Sequence, residues 1–433
     1  MREITTSWGR VTHAEHEVLR PSNREAPLPV AAGISRYLPR GAGRSYGDVG
    51  LNADGGLWDM AALDHFIAFD DATGVVRCEA GMRLAALLAI AVPRRWFPPV
   101  TPGTKEVTLG GAVANDVHGK NHHVAGTFGR HVRRFALARA DGERMVCAPD
   151  ENPELFAATI GGLGLTGAII WIELQLRRIP GPWLEVETIP FGSLGEFFAL
   201  SRASDASHEH TVAWIDAMTP GAPGVFSRAN HVPGEDGRIR ARGLRLCATA
   251  PFNLVRRPAL HAFHAAVRAR HARRRTARRH YDGFFYPLDG LADWNRLYGP
   301  AGFFQYQCAL PASAGPEAAR AVLDEVARSG ECCALGVLKM FGDLPSPGLL
   351  SFPMAGPTLA LDFPNCGARS QALFDRLDSI VRAAGGRLYP AKDARMAGDF
   401  FRQSYPGWRE LARRADPAIS SNFWRRTTEG AQG

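Results

Sequence analysis

The chain has 433 residues and a formal net charge of +8, with 51 lysines and arginines against 43 aspartates and glutamates. Hydrophobic residues make up 45% of the chain and charged residues 22%, which is ordinary for a globular protein. These proportions exclude a disordered, collagen-like or small disulfide-stapled chain. At roughly 150 residues per domain, the length predicts two or three domains.

The first 180 residues alternate short β-branched runs with Gly-rich turns. Asp141-Gly142 lies between two such runs, as is typical of a hairpin turn. A small helix is expected to end at Pro93, because proline breaks a helix interior. The sequence predicts strands at residues 75–78, 135–140, 145–147 and 168–176, and a helix at 84–92.

From about residue 183, strands alternate with longer helices. A helix over 316–329 has Pro316 in its first turn and Gly330 as its stop, and a helix over 370–384 begins with Ser370 as N-cap. The pattern is that of an α+β protein. Strands are predicted at residues 211–215, 303–310, 335–340 and 359–363.

Three Gly-rich segments occur in the first 170 residues. The first spans residues 40–48, where closely spaced glycines allow successive backbone N–H groups to face a diphosphate. It is not a Rossmann fingerprint, because Tyr46 stands where that pattern needs glycine, and it lacks the Lys-Ser/Thr ending of a P-loop. The alternative is a plain tight turn. The other two Gly-rich segments span residues 101–123 and 161–167.

A metal site in the second segment is disfavoured. His118 and His122 are spaced to share one face of a helix, but no third ligand follows at a suitable spacing and Gly119 interrupts the helix. No metal is therefore expected.

Lysine is rare in this chain, since only four of the 51 basic residues are lysines. A lysine kept among so many arginines marks a position that needs a compact ammonium group rather than a planar guanidinium. Lys120, Lys339 and Lys392 lie in motif-like contexts, whereas Lys105 follows a turn and is expected to be exposed and incidental. The alternative is that these lysines result from compositional drift and have no functional role.

Seven arginines form a tract without an acidic residue. The tract follows an apolar stretch in which Leu260, Phe263 and Val267 have helical spacing. In one interpretation the tract binds anionic lipid headgroups, and in the other it is a solvated basic face. Nucleic-acid binding is disfavoured, because no nucleic-acid-binding module accompanies the tract. The arginines are Arg268, Arg270, Arg273, Arg274, Arg275, Arg278 and Arg279.

Taken together, the motifs resemble the decaprenylphosphoryl-β-D-ribose 2'-oxidase family of vanillyl-alcohol-oxidase-type FAD-dependent oxidoreductases. The resemblance spans nearly the whole chain and is poor across residues 220–280. It rests on residues 40–48, 102–123, 161–167, 286–289, 294–300, 305–307 and 389–395.

The resemblance implies a PCMH-type FAD-binding domain of two α+β subdomains, built from both chain ends. Residues 1–181 would form most of it, residues 182–387 an α+β substrate (cap) domain with an antiparallel sheet, and residues 388–433 a segment that returns to the FAD domain.

The same resemblance implies the residues that bind FAD. In many relatives a histidine of the first loop attaches the flavin covalently, but Arg44 stands at that position here, so non-covalent FAD is expected. The implied cofactor-binding residues are Arg40, Gly41, Ala42, Gly43, Arg44, Ser45, Tyr46, Pro102, Gly103, Thr104, Thr108, Gly111, Val117, His118, Ile169, Tyr389 and Lys392.

Lys392, His118 and Tyr46 are the catalytic candidates, Lys392 for charge near the flavin and the other two for the hydroxyl proton. Ala360 replaces a cysteine that covalent inhibitors attack in the actinobacterial enzyme, and Thr358 replaces an asparagine. The candidates for substrate binding are Lys120, Gln305, Gln307, Lys339, Thr358 and Ala360.

The implied reaction oxidises the 2'-OH of a polyprenyl-phosphate-linked ribose, the first half of a ribose-to-arabinose epimerisation in cell-wall arabinan synthesis. A short-chain NADH-dependent reductase would act on the keto product. The alternatives are oxidation of another sugar, an aldonolactone or a polyol. The N-terminus lacks the apolar core of a signal peptide and the seven cysteines are scattered, so a cytoplasmic enzyme with peripheral membrane contact is expected.

Overall fold

The computed structural model describes residues 2–235 and 243–429, so the last four residues of the predicted C-terminal segment lie outside the described residues. In the described residues, the α-helices are α1 (Leu84–Ala91), α2 (Leu109–Ala114), α3 (His122–Ala125), α4 (Pro153–Thr159), α5 (Leu194–Ser204), α6 (Arg257–Arg270), α7 (Tyr281–Phe285), α8 (Gly315–Ser329), α9 (Ala368–Ala383), α10 (Gly398–Ser404), α11 (Trp408–Arg414) and α12 (Asn422–Thr428). Short 3₁₀ helices span Asp48–Gly50, Met60–Ala62, Val92–Arg94, Phe128–His131, Pro287–Gly290 and Trp294–Tyr298.

The strands over the same residues are β1 (Arg2–Thr6), β2 (His13–Leu19), β3 (Tyr37–Arg40), β4 (Gly56–Asp59), β5 (Phe66–Asp70), β6 (Val75–Glu79), β7 (Trp96–Phe97), β8 (Val132–Ala138), β9 (Arg144–Cys147), β10 (Ala168–Gln175), β11 (Arg177–Arg178), β12 (Trp183–Phe191), β13 (His210–Ile215), β14 (Gly224–Val232), β15 (Leu244–Arg245), β16 (Arg275–His280), β17 (Leu291–Ala292), β18 (Phe303–Ala309), β19 (Leu335–Phe341), β20 (Gly356–Pro364) and β21 (Arg387–Leu388).

The two ends of the chain meet at a four-stranded mixed sheet of order β1-β2-β4-β3. Tyr37 on β3 exchanges backbone hydrogen bonds with the C-terminal segment, donating to Ala418 and accepting from Ser420. Arg426 on α12 bonds the buried carboxylates of Asp48 and Asp393 at 2.8 and 3.0 Å. The C-terminal residues are thereby built into the N-terminal part of the fold.

The second sheet is antiparallel, with five strands in the order β5-β6-β10-β8-β9. The predicted hairpin is confirmed, because β8 and β9 pair from Phe135–Cys147 to Ala138–Arg144 around the Asp141-Gly142 turn. Helix α1 also matches its prediction and ends one residue before the short 3₁₀ helix that contains Pro93.

An eight-stranded antiparallel sheet of order β16-β12-β14-β13-β19-β20-β18-β21 occupies most of the remaining chain. Helices α5, α8 and α9 lie against the sheet or each other. Helix α8 buries Val322 and Val326 on its apolar stripe and ends at Gly330, which has the left-handed φ of 73° common at helix ends. The α+β prediction and the antiparallel sheet are both confirmed.

Two local predictions are wrong. Helix α9 begins at Ala368, and Ser370 lies inside it, where its hydroxyl donates to the Pro364 carbonyl and accepts from the Cys366 N–H. His118 and His122 do not share a helical face, because α3 begins only at His122 while His118 pairs with Thr127 in an isolated bridge.

The arginine tract is divided among the end of α6, the turn that follows it and the edge strand β16. Arg268 pairs with buried Asp216, and Arg274 pairs with Glu187. The remaining five arginines are exposed, so the tract is both a structural clamp and a basic surface. Among the described residues, no helix is long and apolar enough to cross a membrane.

Candidate active site

One cavity of about 810 Å³ lies between the first Gly-rich segment and the open face of the eight-stranded sheet. The sequence-predicted site residues come from segments up to 350 residues apart, and all of them line this cavity. They are Arg40, Gly41, Ala42, Gly43, Arg44, Ser45, Tyr46, Pro102, Gly103, Thr104, Thr108, Gly111, Val117, His118, Lys120, Ile169, Gln305, Gln307, Lys339, Thr358, Ala360, Tyr389 and Lys392.

The first Gly-rich segment follows β3 as a loop whose backbone N–H groups are available to a ligand. Ser45 and Tyr46 use their carbonyls to accept from Trp8 and Gly9, whereas the N–H groups of residues 41–45 have no acceptor among the described residues. Gly43 has a φ of 64°, and a β-carbon at Gly41 would overlap the Thr108 side chain. A loop of unpaired N–H groups is suited to a diphosphate.

Helix α2 lies next to this loop and presents small residues to the cavity. Thr108 caps its first turn by accepting from the Gly111 N–H. Tyr389, from the other end of the chain, donates its phenol proton to the Asn115 carbonyl at the end of α2 over 3.0 Å. The phenol of Tyr389 is thus committed to the protein, and only its ring is left to pack against a ligand.

Three adjacent strands supply the opposite wall. Gln307 on β18 pairs with Ala360 on β20, which in turn pairs with Val337 on β19, so these side chains form one row across the sheet face. Gln305 lies two residues along the same strand, and both amides line the cavity as the alternation predicted. Thr358 donates its hydroxyl to the Cys308 carbonyl, which leaves little of it for a substrate.

Lys392 lies where the two walls meet. Its ammonium sits over the ring of Tyr46, 3.5 Å from the centroid. The buried carboxyl of Asp362 opposes this charge and accepts from Gln305 Nε2 at 2.6 Å. Burial lowers the pKa of Lys392 and raises that of Asp362, while the attraction between their charges opposes both shifts. Burial likewise raises the pKa of Tyr46, so its phenol is not a ready base.

His118 is held between two cavity residues. Lys339 Nζ lies 3.1 Å from Nδ1, and the Gln307 amide nitrogen lies 3.0 Å from Nε2. Burial, followed by the positive charges of Lys339, His122 and Lys392, holds the pKa of His118 well below its usual value, so the imidazole is neutral near pH 7.

The protonation of Lys339 decides which ring nitrogen carries the proton. Burial, together with the charges of Lys120 and Lys392, lowers the pKa of Lys339 to about 7. In its ammonium form, Lys339 donates to Nδ1 of His118, so the ring proton is on Nε2. That N–H then needs the amide oxygen of Gln307 as its acceptor. As a neutral amine it accepts from Nδ1–H, and Nε2 then has a free lone pair that accepts from the Gln307 amide N–H.

Lys120 has no acidic partner among the described residues. Its ammonium donates to the Phe285 carbonyl at 3.0 Å and lies 5.5 Å from the ring centroids of Phe284 and Phe285. Burial lowers the pKa of Lys120 to about 8. An unpaired ammonium in a cavity is costly and favours the entry of an anion.

The expectation that Lys105 is exposed and incidental is wrong. Its side chain is only a quarter exposed and forms an ion pair with Asp282, while its backbone N–H donates to Asp289 at 2.8 Å. It connects the loop before α2 to the segment that carries α7, outside the cavity lining.

Sequence reasoning missed Asp362. Its carboxyl comes to face Lys392 only in the folded protein, where β18 pairs on one side with β20, which carries Asp362, and on the other side with β21, which leads into residues 389–392. An acidic residue in an otherwise apolar strand was the available signal, since a buried carboxyl needs a partner.

The cavity residues fit FAD. The unpaired N–H groups of residues 41–45 suit its diphosphate, the small residues of α2 allow close approach of a flat ring, and Lys392 supplies a positive charge beside the Gly-rich loop.

We expect Lys120→Met to stabilise the substrate-free protein, because it removes an ammonium without an acidic partner. The apparent melting temperature should rise on the order of 2 °C near pH 7, measured by calorimetry. Since a neutral amine costs less to bury, the gain should shrink as the pH rises above about 8.

Lys105→Met is the matched control. It removes a lysine that has an acidic partner, so the melting temperature should fall or stay unchanged. A lower melting temperature for Lys120→Met would mean that an unseen partner already neutralises Lys120.

Comparisons with known proteins agree with this geometry. A family described as an FAD binding domain matches residues 31–148. The chain is 33% identical to decaprenylphosphoryl-β-D-ribose oxidase of Mycolicibacterium smegmatis over 95% of this chain and 94% of that protein. It is 36% identical to a Streptomyces coelicolor protein described as "uncharacterized protein in mprA 5' region", over 77% of this chain and 96% of that protein.

A more distant similarity links the chain to the putative D-arabinono-1,4-lactone oxidase of Neurospora crassa, at 30% identity over 34% of this chain and 25% of that protein. The near-complete overlap with the mycobacterial oxidase decides the family. The chain belongs to the decaprenylphosphoryl-β-D-ribose oxidase family and is an FAD-dependent oxidoreductase.

Proposed function

We propose that this enzyme oxidises the 2'-OH of a ribose linked to a polyprenyl phosphate. The observation that carries the proposal is one cavity in which a Gly-rich loop faces a sheet wall that bears two amides, with three lysines in the cavity lining. The loop suits the cofactor diphosphate, the amides suit sugar hydroxyls, and Lys120 suits the substrate phosphate. The full-length similarity to the mycobacterial oxidase supports the same substrate class.

In the proposed reaction, the carbinol carbon loses a hydride and its hydroxyl loses a proton, which leaves a ketone. FAD, when bound in this cavity, would supply the two-electron acceptor for that hydride. His118 Nε2 takes the hydroxyl proton when Lys339 is neutral, since only then does Nε2 carry a lone pair. The substrate hydroxyl replaces the Gln307 amide as the donor to Nε2.

Lys392 would supply the positive charge that stabilises the reduced cofactor. The carboxylate of Asp362 favours the charged form of this lysine, which burial disfavours, and Gln305 holds Asp362 in place. Lys392 and His118 are thus the catalytic residues in this proposal, and Asp362 is a positioning residue. Tyr46 contributes its ring to the seat of Lys392 rather than a proton.

The wider assignments are also part of the proposal. Residues 1–181 and 388–433 form a two-lobed FAD domain that residues 182–387 cover as a cap. A separate NADH-dependent short-chain reductase consumes the keto product, and the exposed arginines of α6 and β16 provide peripheral membrane contact. We propose no nucleic-acid partner.

The reaction is tested by anaerobic bleaching of the flavin. Decaprenylphosphoryl-ribose should bleach it, and Lys392→Met should slow this reduction roughly 100-fold, as loss of one charge-stabilising group does elsewhere. Lys105→Met is the matched control and should reduce at nearly the wild-type rate, because Lys105 lies outside the cavity lining. Bleaching by a free polyol or an aldonolactone, without bleaching by the lipid-linked ribose, would overturn the substrate assignment.

The pH dependence tests the His118–Lys339 pair. We expect kcat/KM to rise as the pH increases through about 7, where Lys339 loses its proton, and to fall at higher pH, where Lys120 loses the charge that holds phosphate and Lys392 loses the charge that stabilises the reduced cofactor. Stopped-flow measurements from about pH 5.5 to about pH 9.5 span the range in which histidine and lysines of lowered pKa titrate, and so give both limbs.

Lys339→Met should lower kcat/KM about 100-fold and remove the rising limb while the falling limb stays. A rising limb that survives in Lys339→Met would assign the titration to another group.

Non-covalent attachment is a further part of the proposal. Arg44 stacks on Trp8, 4.2 Å from the ring centroid, and a guanidinium forms no flavin bond of the histidyl kind. Acid precipitation of the purified enzyme should leave the yellow flavin in the supernatant. A fluorescent protein band on a denaturing gel would contradict this.

A further inference from the structure

The cavity continues beyond the lysines as an arm along the sheet face. A single row of paired residues runs across five strands from Gln307 through Ala360, Val337 and Trp214 to Val225. All five residues line the cavity. At about 4.8 Å between strands, this row is roughly 19 Å long. We call the part beyond Val337 the distal arm.

The chemistry of the wall changes along this row. At the near end it presents the amide of Gln307, and beyond Val337 the floor consists of Trp214, Val225 and, in the neighbouring row, Val212 and Ser227. Among the described residues of the distal arm, none is acidic. Water in such a slot is readily displaced by apolar groups, which gain free energy roughly in proportion to the area they bury.

Helices α6 and α7 form the roof of the distal arm. Phe263 and Val267 of α6 and Phe284 and Phe285 of α7 line it from above. Phe263 is 54% exposed, so it stands at the opening of the arm to the surface. The basic surface of the exposed arginines begins beside this opening, with Arg279 in the lining.

The roof is held in place by a buried ionic clamp. Asp216, at the end of β13, contacts His264 Nδ1 at 3.0 Å and pairs with Arg268, both on α6. The His264 ring also packs edge-on against Trp214 at 5.1 Å between centroids. Because the clamp joins the roof to the floor, the distal arm is formed before any ligand enters.

We infer that the distal arm binds the apolar chain of the substrate, next to its phosphate. The inference rests on the proposed function, since it assigns a place to the part of the substrate that does not react. The phosphate lies at Lys120, at the start of the arm, and the first few isoprene units lie on Trp214 and Val225. The rest of the chain leaves beside Phe263, toward a bilayer that the exposed arginines contact.

Two features of the arm favour this occupant over a second sugar or a nucleotide. The floor is mostly apolar and offers few partners for hydroxyl groups, whereas Lys120 at one end and the arginines at the other match an anionic head and an anionic surface. The arm also opens at both ends, into the reaction cavity and to the surface. A chain that is longer than the arm requires both openings.

The test measures binding of inorganic phosphate, geranyl phosphate and farnesyl phosphate to the FAD-loaded enzyme by calorimetry. Affinity should increase from phosphate to farnesyl phosphate, with about fourfold per buried methylene as the upper limit. Longer prenyl phosphates should bind no more tightly once the arm is filled. Equal affinity for all three probes would overturn the inference.

Ser227→Phe fills the middle of the arm and should weaken farnesyl phosphate more than tenfold while leaving inorganic phosphate unchanged. Ser207→Phe, at an exposed serine outside the cavity, is the matched control and should leave both affinities unchanged. Phe263→Ser provides a variant that places no bulk inside the fold and should weaken only the prenyl phosphates, by several-fold. Unchanged prenyl phosphate binding in both arm variants would also overturn the inference.

The two proposals fail separately. If lipid-linked ribose bleaches the flavin but chain length and Ser227→Phe have no effect on affinity, the arm is wrong and the reaction stands. If prenyl phosphates bind in a chain-dependent manner but no phosphate-linked ribose bleaches the flavin, the arm stands and the substrate sugar is wrong.

Discussion

The structure depends on the burial of three ammonium groups around one cavity. Lys120, Lys339 and Lys392 each lose hydration there, and the described residues set only one carboxyl, Asp362, against them. Such an arrangement opposes folding, because charge repulsion and desolvation both raise the free energy of the empty cavity. The arrangement persists because anionic ligands offset this free-energy cost when they bind. Functional sites commonly reduce stability in this way. The cavity is therefore suited to anionic ligands.

A rigid frame is needed to hold these charges together. Lys339 projects from β19 in the middle of the eight-stranded sheet, Lys120 is joined to the sheet through its carbonyl, which accepts from Thr211, and Lys392 follows β21 at the sheet edge. Antiparallel registers fix the row of Gln307, Ala360 and Val337. The N- and C-terminal segments close on each other through Arg426, which places Lys392 against the Gly-rich loop.

Local sequence signals predicted much of this arrangement. The rest depends on which strands pair in the fold, and the sequence alone does not show this pairing. The three Gly-rich segments, the rare lysines and the alternation of Gln305 with Gln307 each carry their information within a few residues. The partner of Lys392 does not, because Asp362 reaches it only through sheet register. Ser370 failed as a helix start because its hydroxyl is used inside α9, bonding the Pro364 carbonyl.

The distal arm could not be read from the sequence for the same physical reason. Trp214, Val225 and Val337 are ordinary apolar strand residues, and only their common row makes them a floor. Half of the arm's floor and roof residues also fall in residues 220–280, where the family resemblance is weakest: Val225, Ser227, Phe263 and Val267. The arginine tract was visible as charge, but its division into a clamp on Asp216 and an exposed surface depends on where α6 ends.

Lys339 cannot serve both the phosphate and the proton at once. A phosphate in contact with it would raise its pKa and keep it charged, and a charged Lys339 puts the imidazole proton of His118 on Nε2, where the base must have a lone pair. Our proposal avoids this conflict by placing the phosphate at Lys120, whose ammonium donates to the Phe285 carbonyl, whereas Lys339 is the lysine in contact with the imidazole. The proposed mechanism thus gives anion binding to one buried lysine and proton placement to the other, although the composition counts them as equivalent charges.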